Sequence, residues 1–326
     1  MFQLAVIGDE ISQDLDRVCA VACEYGLQAI EMRTVWEKNV HELSDAEVAE
    51  ARRLTEAQGL DICAIASPFY KCRLTDAEPR QHLDLLRRCL EVADSWGVEI
   101  LRGFGFWETG HTDKVWPEMV AHYFEPAKMA ADAGVTLAVE NEAATSLRSA
   151  RLLAQFLAEV RSPAVRALWD PANEVYAVGD GERPYPDAFR RLEPWLVHVH
   201  IKDARLDEEG KPICVEVGDG SIDWRGQLRA LIESDYAGYV SLETHWRPTA
   251  ELDDDLLNRP GGSAFSEQGE VASRICLERW AALLREVGWQ PPLDCARDLS
   301  RPKRRDDPSG RAFKPSPEPA EGPSGQ

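Results

Sequence analysis

No stretch of the chain carries the long apolar run that a membrane span needs, and the opening MFQLAVIGDEISQDLD turns acidic where a secretory signal would need a basic start and a longer apolar core. Positive charge is scarce: 37 lysines and arginines face 57 aspartates and glutamates, a formal net charge of −20. Such a field repels phosphate backbones and anionic surfaces, so no nucleic acid and no membrane is expected as a partner, and a cytoplasmic location is expected. Eight cysteines are present but no C-x-x-C pair, which argues against a zinc cluster or a disulfide scaffold and fits buried thiols in a reducing compartment. A Gly-rich phosphate turn after the first strand is also missing; the chain reads GDEISQD there, which argues against an open, doubly wound dinucleotide-binding sheet.

What is present is a regular alternation. Short β-rich runs are expected as strands at 2–8, 27–33, 60–67, 98–104, 135–141, 165–171, 196–203 and 239–245. Segments of helical period follow at 13–25, 44–58, 78–96, 115–133, 146–160, 224–234 and 266–287, with Ser44 and Glu47 forming a capping box and Gly26, Gly59, Gly97 and Gly134 as stops. This order predicts an α/β fold, a (β/α)8 TIM barrel over residues 1–288. Residues 289–326, rich in Pro, Gly, Ser and charge, are expected to form a disordered tail without catalytic role.

In a parallel barrel the chemistry sits at the carboxyl ends of the strands, and alternate residues face the interior. With Val135, Leu137 and Val139 toward the helices, the fifth strand sends Glu140 inward at its end, and the sixth ends on Asp170. The seventh, VHVHIKD, turns His198, His200 and Lys202 inward, and the eighth delivers Glu243. Three carboxylates and an imidazole would thus converge at one rim, where unpaired negative charge is costly and a divalent cation removes the cost. The donors suit Mn²⁺ first, with Mg²⁺, Co²⁺ or Zn²⁺ as options, in an open coordination shell. Buried ion pairs, with His200 simply hydrogen-bonded to a carboxylate, account for any one of these residues but poorly for all four in register. His198, one pleat deeper, reads as a core or supporting histidine before a ligand, and Lys202, one pleat higher, can reach a substrate oxygen.

Further candidates near the rim are Arg102, Glu142, Arg205 and Glu31, each also readable as a solvated charge, and an aromatic wall of Phe69, Phe104, Phe106, Trp107 and Trp246. The remaining histidines, His41, His82, His111, His122 and His245, fall outside the inward strand positions, which counts against a multi-zinc phosphodiesterase.

The motifs VENE at 139–142, WDPAN at 169–173, HVHIKD at 198–203, GDGSIDW at 218–224 and YVSLETH at 239–245 together resemble the sugar phosphate isomerase/epimerase family of xylose isomerase-like TIM barrels, over roughly residues 2–287. The resemblance implies one divalent metal held by Glu140, Asp170, His200 and Glu243, with Glu140 and Glu243 also moving the substrate's proton. It implies an isomerase or epimerase of a sugar or related polyhydroxylated carbonyl compound, acting through an enediolate. The alternative is a lyase of the inosose dehydratase or C-glycoside-cleaving kind; an endonuclease IV-like enzyme and a non-catalytic metal-binding barrel are more distant. Asn173 stands where many relatives carry a substrate-contacting histidine, a departure that leaves it as a neutral hydrogen-bond partner. A small sugar-like substrate is the expected partner, and association into a homo-oligomer, common among such barrels, stays open.

Overall fold

The computed structural model describes residues 1–249 and 251–291; the tail expected to be disordered lies, from residue 292 on, outside the described residues. Eight parallel strands close a barrel: β1 (Gln3–Ile7), β2 (Ala29–Met32), β3 (Asp61–Phe69), β4 (Ile100–Gly103), β5 (Thr136–Glu140), β6 (Val165–Trp169), β7 (Leu196–Ile201) and β8 (Tyr239–Leu242). Each pairs with its neighbours in chain order, and β8 closes onto β1 with Ala5 opposite Ser241. This is the (β/α)8 TIM barrel that the alternation predicts.

The helices pack outside, for the reasons the sequence gives. Helix α1 (Leu15–Glu24) starts on Asp14, whose side chain accepts from the Asp16 N–H. Helix α2 (Asp45–Ala57) starts on the Ser44/Glu47 capping box. Helix α3 (Glu78–Trp96) ends on Gly97 at φ +71, a left-handed cap that only glycine adopts without a Cβ penalty. Trp96 at its end donates through Nε1 to the Val48 carbonyl at 2.9 Å, tying α3 to α2. The main core lies between strands and helices, while Ala5, Ala29, Cys63 and Ala64 form a small separate cluster, with Ile100 and Tyr239 against it.

Four local features differ from the sequence reading. The helix expected at 115–133 is two, α4 (Thr112–His122) and α5 (Phe124–Asp132), broken at Tyr123 just ahead of Pro126, which has no N–H to continue the ladder. Tyr123 is buried and its hydroxyl donates to the Phe104 carbonyl at 2.5 Å. A short helix, Pro171–Tyr176, follows β6 directly, because Asp170 caps it and Pro171 suits its first position. The long loop after β7 contains a hairpin, Asp203–Leu206 against Pro212–Val215. Strand β8 stops at Leu242 rather than running to 245, and the chain turns through His245 at φ +43.

The GDGSIDW segment closes that loop. Asp203, the last residue of HVHIKD, accepts from the Gly218 N–H at 2.7 Å, and a Cβ on Gly220 would run into the Asp203 carboxylate. Asp223 then caps α6 (Trp224–Glu233) by accepting from Gly226 N–H at 2.8 Å. No helix among the described residues is long and apolar enough to cross a membrane.

Candidate active site

The carboxyl ends of β5 to β8 bring Glu140, Asp170, His200 and Glu243 together: one ligand atom from each lies within 4.8 Å of all the others, and all four residues are buried. His200 points Nδ1 into the group, 3.5 Å from Glu243 Oε2, 3.8 Å from Glu140 Oε1 and 3.9 Å from Asp170 Oδ2. Its other nitrogen, Nε2, lies 3.3 Å from Glu31 Oε1.

Each carboxylate is aimed by its neighbours. Asn173 Nδ2 donates to Glu140 Oε1 at 2.9 Å, and Arg102 Nη1 to Glu140 Oε2 at 3.2 Å. Asp170 Oδ1 accepts from the Ala172 and Asn173 N–H groups at the start of the short helix. The Asp170 backbone is clamped by Asn141, which donates to its carbonyl at 2.8 Å and accepts from its N–H at 2.9 Å. Glu243 Oε1 accepts from Arg33 Nη1 at 3.0 Å, and Glu243 Oε2 from Lys202 Nζ at 2.8 Å.

Electrostatics follow from burial set against these partners. Burial opposes ionisation of Glu243, but Lys202, His245 and His200 outweigh it and hold the carboxyl well below the usual range. Glu140 is likewise lowered, Arg102 overcoming burial. Asp170, beside Glu243 and Glu140, is pushed up to about 7, burial exceeding the pull of Lys202. Burial also disfavours charge on Glu31, yet His198 and His200 keep it well below its ordinary value.

Whether a divalent ion fits is answered by two atoms. His200 Nδ1 and Asp170 Oδ2 are buried and have no hydrogen-bond partner, although Lys202 Nζ stands 2.7 Å from the latter, off hydrogen-bond geometry. An unpartnered imidazole nitrogen facing three carboxylates is a donor set for a cation, and the Glu31 contact on the opposite ring nitrogen is the support that a ligating histidine needs. The residues present fit the ion.

Above the centre lies a cavity of about 260 Å³, whose walls include Lys71, Arg102, Glu142, Asn173, Tyr176, Lys202 and Glu243. Of the candidates read from the sequence, Arg102, Glu142, Asn173 and Lys202 reach this cavity. His198 does not: it is fully buried below the centre, with Nε2 2.7 Å from Glu31 Oε2 and 3.1 Å from Ser241 Oγ. Arg205 does not either, because the hairpin carries it out to solvent. Phe69, Phe104 and Phe106 are fully buried behind the wall, where Tyr70 stacks between Phe69 and Phe106 at 4.0 and 4.4 Å.

A second buried cluster escaped the sequence reading. Arg33, two residues beyond Glu31, donates to Asp9 at 3.0 Å and to Glu10 at 2.9 Å as well as to Glu243. His245, set aside as lying off the inward positions, lines the cavity, with Nδ1 3.2 Å from Glu10 Oε1. The turn at φ +43 brings it back to the rim. The available signal was the acidic pair after the first strand, which needs a buried cation, and the in-phase spacing of Glu31 and Arg33.

The chain is similar to known proteins at two levels. An inosose dehydratase from Yersinia enterocolitica is 27% identical over 151 residues, 42% of this chain and 50% of that protein. The chain thus spans about half the length of this curated relative. Among solved structures, a xylose isomerase-like TIM barrel protein from Mycobacterium smegmatis in complex with magnesium matches with a TM-score of 0.61 at 17% identity, over 83% of this chain and 87% of that one. A D-allulose 3-epimerase from Methylomonas sp. in complex with D-allulose matches with a TM-score of 0.62 at 18% identity, over 85% and 97%. The family model of the xylose isomerase-like TIM barrel matches residues 19–288, and with most of its length inside that match the chain belongs to this family.

Proposed function

We propose that the protein is a divalent-metal-dependent lyase that removes water from a keto-cyclitol or a similar polyhydroxylated ketone, a reaction of the inosose dehydratase type. The observation that carries this reading is the pairing of Glu243 and Lys202, 2.8 Å apart at the wall of one cavity. A carboxylate and an ammonium side by side offer a base for the α-proton and an acid for the β-hydroxyl on the same side of a bound ketone.

Glu140, Asp170, His200 and Glu243 would hold the metal, which when bound supplies Lewis-acid polarisation of the ketone oxygen. Glu243 takes the α-proton, the electron pair forms the new carbon–carbon double bond, and the β-hydroxyl leaves with its bonding pair. Lys202 Nζ gives that oxygen a proton, releasing water. The proton on Glu243 then passes back to the Lys202 amine, restoring both groups. Glu140 has both oxygens engaged, by Asn173 and Arg102, as Glu243 has by Arg33 and Lys202, but neither partner of Glu140 is an ammonium that can pass a proton to a leaving hydroxyl. That acid–base pair at Glu243, together with the dehydratase relative, favours elimination over epimerisation, which needs a working base on each face.

Isomerisation or epimerisation of the same class of ketone is the second reading, favoured by the two glutamates in one centre and the epimerase among the similar folds. Incubation of the Mn²⁺-loaded protein with scyllo-inosose in D₂O separates the two. A conjugated, ultraviolet-absorbing enol product is expected. An isomeric ketone carrying deuterium at its α-carbon would favour the second reading, and unchanged ketone without deuterium, repeated across a ketose panel, would sink both.

A further inference from the structure

We infer that Lys202 is the internal counter-ion of the metal centre, competing with the divalent ion for the same two carboxylate oxygens. This rests on the metal-centre reading above and concerns what sets the strength of ion binding. Lys202 Nζ lies 2.7 Å from Asp170 Oδ2 and 2.8 Å from Glu243 Oε2. Those are the oxygens that face His200 Nδ1, at 3.9 and 3.5 Å. The ammonium is therefore seated on the ligand atoms themselves, not on the far side of the carboxylates.

The rest of the site is arranged so that the lysine can leave without disturbing those ligands. Glu243 keeps its Arg33 contact through Oε1, and Asp170 keeps the two helix N–H groups through Oδ1. Lys202 itself stands in phase with His200 at the end of β7, and it lines the cavity beside Asn173, Tyr176 and Cys214. Rotation of its four-carbon stem carries Nζ from the carboxylates into that space. Two cations cannot both sit on buried oxygens at hydrogen-bond range without strong repulsion, because the surroundings screen charge poorly. Ion binding and the lysine contacts are thus linked with opposite sign: each weakens the other by the same factor. Three carboxylates stay compensated when no ion is bound, and ion binding delivers the ammonium to the substrate side.

The test is calorimetric titration of chelator-treated wild type, Lys202→Met and Lys202→Gln with Mn²⁺, alongside thermal unfolding of each with and without the ion. Removal of the ammonium is expected to tighten Mn²⁺ binding by roughly tenfold, within the usual range of site-to-site coupling. The chelated variants are expected to melt below chelated wild type, with the gap closing at saturating Mn²⁺. Lys202→Gln keeps an amide donor and carries the same prediction should the methionine variant not fold. Mn²⁺ bound by wild type but with equal or weaker affinity in the variants would overturn the lysine's role and leave the metal centre standing. Absence of binding in all three proteins would overturn both.

Discussion

Asn173 Nδ2 donates to Glu140 Oε1 at 2.9 Å, so a neutral amide, not a second titratable group, orients the carboxylate on β5. Asn173→Ala removes a hydrogen bond to an ionised group, worth about 1.5–3 kcal/mol, and is expected to lower kcat/KM roughly 10- to 100-fold while the fold is kept. Steady-state kinetics with the proposed ketone substrate, beside circular dichroism, check it; unchanged kcat/KM would mean that Arg102 alone holds Glu140.

Glu31 joins His198 and His200 below the centre and was readable in sequence only as one charge among several near the rim. Because its Oε1 meets His200 Nε2, it fixes which ring nitrogen faces the carboxylates. Glu31→Gln is expected to weaken Mn²⁺ binding by roughly 10- to 100-fold in a calorimetric titration, the usual effect of losing a ligand's supporting contact. Equal affinity would show that Ser241 and the strand register suffice to orient the histidines.

His82, on α3 and away from the centre, accepts the Tyr70 N–H through Nδ1 at 2.9 Å and so secures a residue at φ +62. Burial, helped by His41 and opposed by Glu78, lowers its pKa to about 4. A histidine with a folded-state pKa below its unfolded one takes up its proton more readily in the unfolded chain, so its contribution to stability is full above about pH 6.5 and is lost as pH falls through 4. That loss is about 2 kcal/mol once partial exposure is discounted. Denaturant melts of wild type and His82→Gln between pH 7 and 4 are expected to converge as pH drops; parallel curves would contradict the assignment.

Strand order, helix positions and the four convergent residues were legible because each rests on a local rule: period two in the strands, caps and glycine stops at the helices, and the inward phase of strand ends. Glu140, Asp170, His200 and Glu243 obey that phase, each within one residue of its strand's end. Arg33, Asp9, Glu10 and His245 do not announce themselves this way. Asp9 and Glu10 belong to a single 3-10 turn after β1, and His245 returns through a left-handed turn, so their meeting depends on loop geometry that no periodicity encodes. Arg205 failed for the converse reason: it follows the HVHIKD motif in sequence, but the hairpin twists it to solvent.

The proposed metal centre is tested most directly by elemental mass spectrometry of the purified protein, before and after reloading with Mn²⁺, on wild type and on Glu243→Gln. The expected result is about one divalent ion per wild-type chain and a large loss from the folded variant. Wild-type protein that holds no divalent ion even after reloading would contradict the account, leaving Glu140, Asp170, His200 and Glu243 as a buried ion-pair cluster and removing the proposed chemistry with it.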